Sequence, residues 1–148
     1  MKTPEKILDE KGTVTRLIAP LLIDPKDHMR TGREFVARQY TKFTKPVLHH
    51  QNDSFYAWAD THYREVVPAE ISTDLYHFLE SASVTCRKGP PVAFKPNRHS
   101  VAELQAALKA VTNLPSEISP PAWLQNDARK FPADEIVACA NGLLHLKT

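Results

Sequence analysis

Twelve prolines, most of them set between stretches of regular apolar spacing, divide the 148 residues into short elements. Proline lacks an N–H and its ring clashes with the preceding turn, so it marks the edges of helices and strands rather than their middles. Three of the intervals between breaks carry helical spacing. In "PAEISTDLYHFLESAS" Pro68 opens the first turn, and Ile71, Leu75, Phe78 and Leu79 fall on one face. In "SVAELQAALKAVTNL" the stripe is Val101, Leu104, Leu108 and Val111, with Lys109 facing outward, and Ser100 with Glu103 predicts a capping box at its start. In "DPKDHMRTGREFVARQY" Asp24 is the expected N-cap with Pro25 at the first helical position, or Thr31 and Glu34 form a later box. That helix runs to Tyr40, burying Phe35 and Val36, with Gln39 and Tyr40 beside them.

Other intervals read as strands. "VLHHQNDSFYAWADTHYREVV" is rich in aromatic and β-branched residues and predicts a meander of Val47 to His50, Ser54 to Trp58 and His62 to Val67. Tyr56 and Trp58, two apart, share one face, which is expected to pack on a helix. Near the end, "VACANGLLHL" holds two apolar runs around Asn141-Gly142, a pair suited to a type I′ turn, and predicts a closing hairpin of Ile136 to Ala140 and Leu143 to Leu146. The segment "PSEISPPAWLQNDARKFPADE" between them reads as irregular, anchored by Trp123 and Leu124. Three helices with short antiparallel hairpins make an α+β fold, and a doubly wound parallel sheet is not expected. A β-wing behind the third helix would make the C-terminal part winged-helix-like.

A chain of this length buries roughly 70% of its unfolded surface around one core. No apolar run approaches the roughly 20 residues that span a bilayer, and the N-terminus has no apolar region of a secretory signal, so a cytoplasmic protein without a membrane partner is expected. The two cysteines, Cys86 and Cys139, stand outside any CxxC pair and are expected to be buried apolar side chains. Of the four glycines none stands in GxxxxGK[ST], which excludes a phosphate-binding loop. His49, His50 and His62 are the best candidate metal cluster, but neighbours in a strand point to opposite faces, so no metal and no cofactor is expected. Cys86 beside Arg87 and Lys88 has no base near it in sequence, and no catalytic residue is assigned.

What remains is charge. The formal net charge is +2, with a pI near 8.6, but the basic groups cluster. "RKGPPVAFKPNRH" carries Arg87, Lys88, Lys95 and Arg98 without a carboxylate, and Met29 to Lys45 holds Arg30, Arg33, Arg38, Lys42 and Lys45 against Glu34 alone. A stiff cationic connector running into a helix N-terminus suits a phosphate backbone.

The order of the segments "FYAWADTHYREV", "PAEISTDLYHFLESAS", "HSVAELQAALKAV", "PPAWL" and "IVACANGLLHLKT" resembles the N-terminal accessory domain of phage, plasmid and poxvirus primase-helicases. The likeness covers 54–148 and leaves 1–53, with one helix, outside it, although both ranges are expected to form one compact unit. Asn141, Gly142, Leu143, Leu144, Leu146 and Thr148 match the family's terminal motif, whereas His145 stands where aspartate is usual. The resemblance implies a piece of a phage-derived replication protein whose ATPase lies in a helicase module beyond this chain. The expected function is therefore non-catalytic binding of single-stranded or forked DNA by Arg87, Lys88, Lys95, Arg98 and Lys109, with Tyr63 or Phe94 stacking on a base. Expected partners are DNA and the helicase and primase modules of the same polypeptide, with room for a homo-oligomer. The rival is a protein-interaction or oligomerisation module with an exposed apolar patch around Trp123, Leu143 and Leu144.

Overall fold

The computed structural model describes residues 20–86, 88–124, 131–139 and 141–146. The fold is α+β: three helices and several small, mainly antiparallel sheets.

After the short strand β1 (Leu22–Ile23), helix α1 spans His28–Gln39. Its cap is Asp27, whose carboxylate accepts the Arg30 N–H at 2.9 Å, and neither expected start is used. Asp24 instead accepts the Lys26 N–H at 2.9 Å, closing a turn ahead of the helix. Thr31 lies inside the first turn, where its hydroxyl donates to the Asp27 carbonyl at 2.9 Å and is buried. Phe35 and Val36 are buried as expected. Gln39 is exposed, and half-buried Tyr40 donates its hydroxyl to Asp74 Oδ2 at 2.6 Å.

A hairpin absent from the sequence reading follows, β2 (Thr41–Lys42) and β3 (Lys45–Pro46). The meander is then β4 (Leu48–Gln51), β5 (Ser54–Trp58) and β6 (Tyr63–Val66), in that order in the sheet. Pairing of His50 with Phe55 and of Phe55 with Val66 fixes the register and puts all three on the buried face. Phe55 and Ala57 are therefore the inward residues of β5. Tyr56 and Trp58, expected to pack on a helix, lie half-buried on the outer face, because the period of two can bury only one of the two sets.

Helix α2 (Pro68–Glu80) carries Pro68 in its first turn and buries Ile71, Leu75, Phe78 and Leu79. Strands β7 (Ser83–Val84) and β8 (Val92–Ala93) come next, and β7 receives β1 in parallel on its other side. Helix α3 spans Arg98–Val111. Its cap is Asn97, not Ser100. The Asn97 side chain accepts the Ser100 N–H, and the Ser100 hydroxyl accepts the Asn97 N–H, each at 2.9 Å. Asparagine caps as well as serine does, so the helix starts one turn earlier and Glu103 is left beside His99, at 4.0 Å.

Helices α1 and α3 cross at Gly32, where an added Cβ would lie 3.5 Å from Val111 and 3.8 Å from Leu104. The core draws on residues from Leu21 to Leu108, so it takes in side chains from both 1–53 and 54–148. The last elements, β9 (Ile136–Cys139) and β10 (Gly142–His145), form a two-stranded hairpin with no buried residue. Gly142 pairs with Cys139, so the glycine, at φ +154, opens the second strand. Both cysteines are exposed, against expectation: Cys86 sits in the connector after β7, and Cys139 lies in a strand of which no residue is buried.

Candidate nucleic-acid interface

The connector between β7 and α3 brings Lys88, Lys95 and Arg98 to the surface, all exposed. Among the described residues none of the three has a carboxylate within salt-bridge distance. Arg87 lies outside the described residues. Lys109 is not brought to this group. It sits near the far end of α3, about 16 Å along the axis from Arg98 at 1.5 Å per residue, and its ammonium lies 3.9 Å from Asp53 in the β4–β5 turn.

The other basic cluster is largely engaged. Arg38 Nε donates to Glu34 Oε1 at 2.6 Å, and Lys42 is paired with Asp60, whose carboxyl it holds below the usual range by donating to it. Arg30 and Arg33 are exposed on α1.

The first turns of α1 and α3 flank a cleft of about 270 Å³, lined by His28, Asn97, His99, Ser100 and Glu103 with Phe94 on its wall. Free N–H groups at two helix starts favour an anion, while Asp24 and Glu103 on the same lining oppose one, so the cationic surface is the connector beside the cleft rather than the cleft itself. Phe94 packs against the core with one side. Tyr63 stands in a cluster of rings on the outer face of the meander, 5.2 Å from Trp58 and 5.3 Å from His49 between centroids. Burial pushes the Tyr63 hydroxyl above its ordinary value and the His49 imidazole below its own.

His49 and His50 point to opposite sides of β4, as the strand period requires. His50 is 8% exposed, packs on Phe55 at 4.8 Å, and its Nε2 has no hydrogen-bond partner. Among the described residues no three His, Cys, Asp or Glu side chains stand close enough together to hold a metal ion, and no helix is long and apolar enough to cross a membrane.

Two surface features escape the charge-based reading. Phe43, at the tip of β2–β3, is 95% exposed. Its turn contains no Gly, Asn or Asp, so nothing in the sequence announces it. The other is the closing hairpin, where Leu143 is 59% and Leu144 53% exposed, with Val137 and Leu146 also open to solvent. Trp123, grouped with them from the sequence, is half-buried and its indole N–H donates to the Phe131 carbonyl at 3.1 Å. Comparison with protein-family models, with curated proteins and with solved structures yields no match.

Proposed function

We propose that this chain is a non-catalytic, cytoplasmic DNA-binding accessory domain of a phage-derived replicative primase-helicase. It positions single-stranded or forked template beside the helicase and primase modules of the same polypeptide. The observation that supports it is the run of Lys88, Lys95 and Arg98 at the entry to α3, exposed and, among the described residues, without a carboxylate partner. Arg87 extends the run in sequence. Cations left unpaired on a surface release counter-ions when phosphates replace them, so affinity should fall with salt at a log-log slope of about −2 to −4 for three or four phosphates. Lys109, already facing Asp53, contributes least. Fluorescence anisotropy with labelled single-stranded and forked DNA tests this. Failure to bind at low salt, or binding indifferent to Lys88→Glu, Lys95→Glu and Arg98→Glu together, overturns it.

A second reading rests on the closing hairpin. A two-stranded hairpin is marginal alone in water, and one with leucines open on both faces suits a protein partner or a second copy. On that reading the chain joins protein modules, self-association or capture of a module is lost with Leu144→Asp, and charge reversal in the connector leaves it intact.

A further inference from the structure

The β2–β3 hairpin turns on two residues poorly suited to the job. Phe43 and Thr44 sit at φ +50 and +67, a region that bulky and β-branched side chains enter only under strain. Burial does not offset that strain, because the Phe43 side chain stands almost wholly in water. Strained backbone that presents a side chain to solvent is characteristic of ligand-contacting tips. Lys42 and Lys45 pair across the hairpin and bracket the Phe43-Thr44 turn, one on each strand.

The base of the hairpin adjoins the aromatic cluster. Val47, directly after β3, donates its N–H to the Tyr40 carbonyl at 2.8 Å and accepts the Trp58 N–H at 3.1 Å, while Lys42 reaches Asp60 in the β5–β6 turn. That turn is flanked by Trp58 and Tyr63, which with His49 form the ring cluster on the outer face of the sheet.

We infer that the Lys42-Phe43-Thr44-Lys45 tip and this adjoining face form a stacking surface for unpaired nucleobases, with Lys42 and Lys45 on the flanking phosphates. The inference rests on the nucleic-acid reading above and adds a strand preference to it. Phe43 offers an exposed ring on which a base of any identity can stack. The neighbouring rings, with Tyr63 at 59° to His49 and 69° to Trp58, pack tilted and edge to face and support that contact rather than forming a parallel run. An anionic membrane would use the same lysines, but the rings beside the hairpin base are half-buried, and the Tyr63 hydroxyl lies 3.3 Å from His49 Nε2, which leaves little apolar surface there for insertion. Asp60 competes with phosphate for Lys42 across an exposed ion pair of the kind that contributes little.

The test uses the full chain, fluorescein-labelled dT20, a blunt 20-base-pair duplex, and phosphatidylcholine vesicles containing phosphatidylserine. Expected results are preference for dT20 over duplex, about tenfold weaker dT20 binding with Phe43→Gly, near-native binding with Phe43→Trp, and tighter binding with Asp60→Asn. Phe43→Gly should also raise the thermal midpoint, so lost binding with gained stability separates a binding role from a structural one. Unchanged dT20 affinity in Phe43→Gly overturns the inference, as does Phe43-dependent binding to vesicles alone. If Lys95→Glu with Arg98→Glu weakens that unchanged binding, only the stacking surface falls. If the wild-type chain binds neither oligonucleotide at low salt, both readings fall.

Discussion

Two hairpins of similar strand length meet opposite fates in this molecule. In β4–β5, Leu48 and Phe55 are 1% and 3% exposed, and the residues between them alternate with half-buried ones. In β9–β10 the apolar residues follow one another, Ile136 with Val137 and Leu143 with Leu144, so both faces are apolar, and neither strand buries a residue among those described, Phe131 alone stacking on the hairpin at His145. Alternation tells a strand which side to bury, and β4–β5 has helices on that side. Adjacent apolar residues carry no such instruction. The lesson is that pairing and covering are separate properties: a turn signal predicts the first, and only a second layer supplies the other.

Truncation should expose that contrast most sharply. Phe55→Ala removes a ring packed against His50 in the core and should cost about 3–5 kcal/mol. Leu144→Ala should move stability by less than about 0.5 kcal/mol, since its side chain already stands in water. Urea denaturation of both variants checks this. Equal losses would mean that the closing hairpin is part of the cooperative core and that the distinction drawn here is false.

The same physics explains what could be read in advance. Helix α2 was legible in full, because Pro68 and four apolar residues on one face agree with one another. The meander was legible from its period of two, but which face turned inward was not, since Phe55 and Ala57 are no more apolar together than Tyr56 and Trp58. Cap positions slipped by one turn at α3, where Asn97 and Ser100 are both competent caps and Asn97 takes the place, with Ser100 bonding back to it. The strands β1, β7 and β8, two residues each, have no period to detect, and their pairing is a tertiary event. At the candidate interface the cations of the connector were legible as charge. The loss of Lys109 to Asp53 was not, because it depends on where a turn meets a helix end.

Turn chemistry offers the next test. The β4–β5 turn places Asn52 and Asp53 at φ +49 and +62, nearly the conformation that Phe43 and Thr44 adopt in β2–β3. Asn and Asp enter it readily and Phe does not. Phe43→Gly should therefore stabilise the chain by about 1 kcal/mol, whereas Asn52→Phe should destabilise it by a similar amount. Thermal melts of the pair measure this directly. Movement of both in the same direction would sink the claim that one tip is strained and the other is not.

Between the helices the expected change is smaller, and also a gain. Gly32 lies inside α1, where glycine costs about 1 kcal/mol relative to alanine, and the neighbours of a new Cβ, Val111 and Leu104, stand at ordinary contact distance. Gly32→Ala should add about 0.5–1 kcal/mol in urea denaturation. Gly32→Leu, which must push into α3, should reverse the sign.

The finest distinction between covered and uncovered strands comes from protons. His50 is held below its ordinary value of 6.5 by burial first and by the nearby Lys109 ammonium second, with Asp53 opposing, and His49 is lowered by burial alone. A histidine whose folded pKa lies below the unfolded one binds fewer protons when folded, so unfolding takes up protons in the window between the two values. Stability should be flat above about pH 6.5 for these groups and fall as pH drops from there toward the folded values. His50→Phe removes the unpartnered nitrogen while keeping a ring against Phe55, and should flatten part of that acid loss, leaving the share due to His49. Asp53→Asn removes the one charge that helps His50 to protonate in the folded state, and should steepen it. Denaturation midpoints across pH 5 to 8 measure both slopes. A wild-type profile that is level through that range, or one that His50→Phe leaves unaltered, would show that the buried face of β4 does not discriminate against the charged imidazole, and with it the physical meaning of a covered strand in this chain would have to be redrawn.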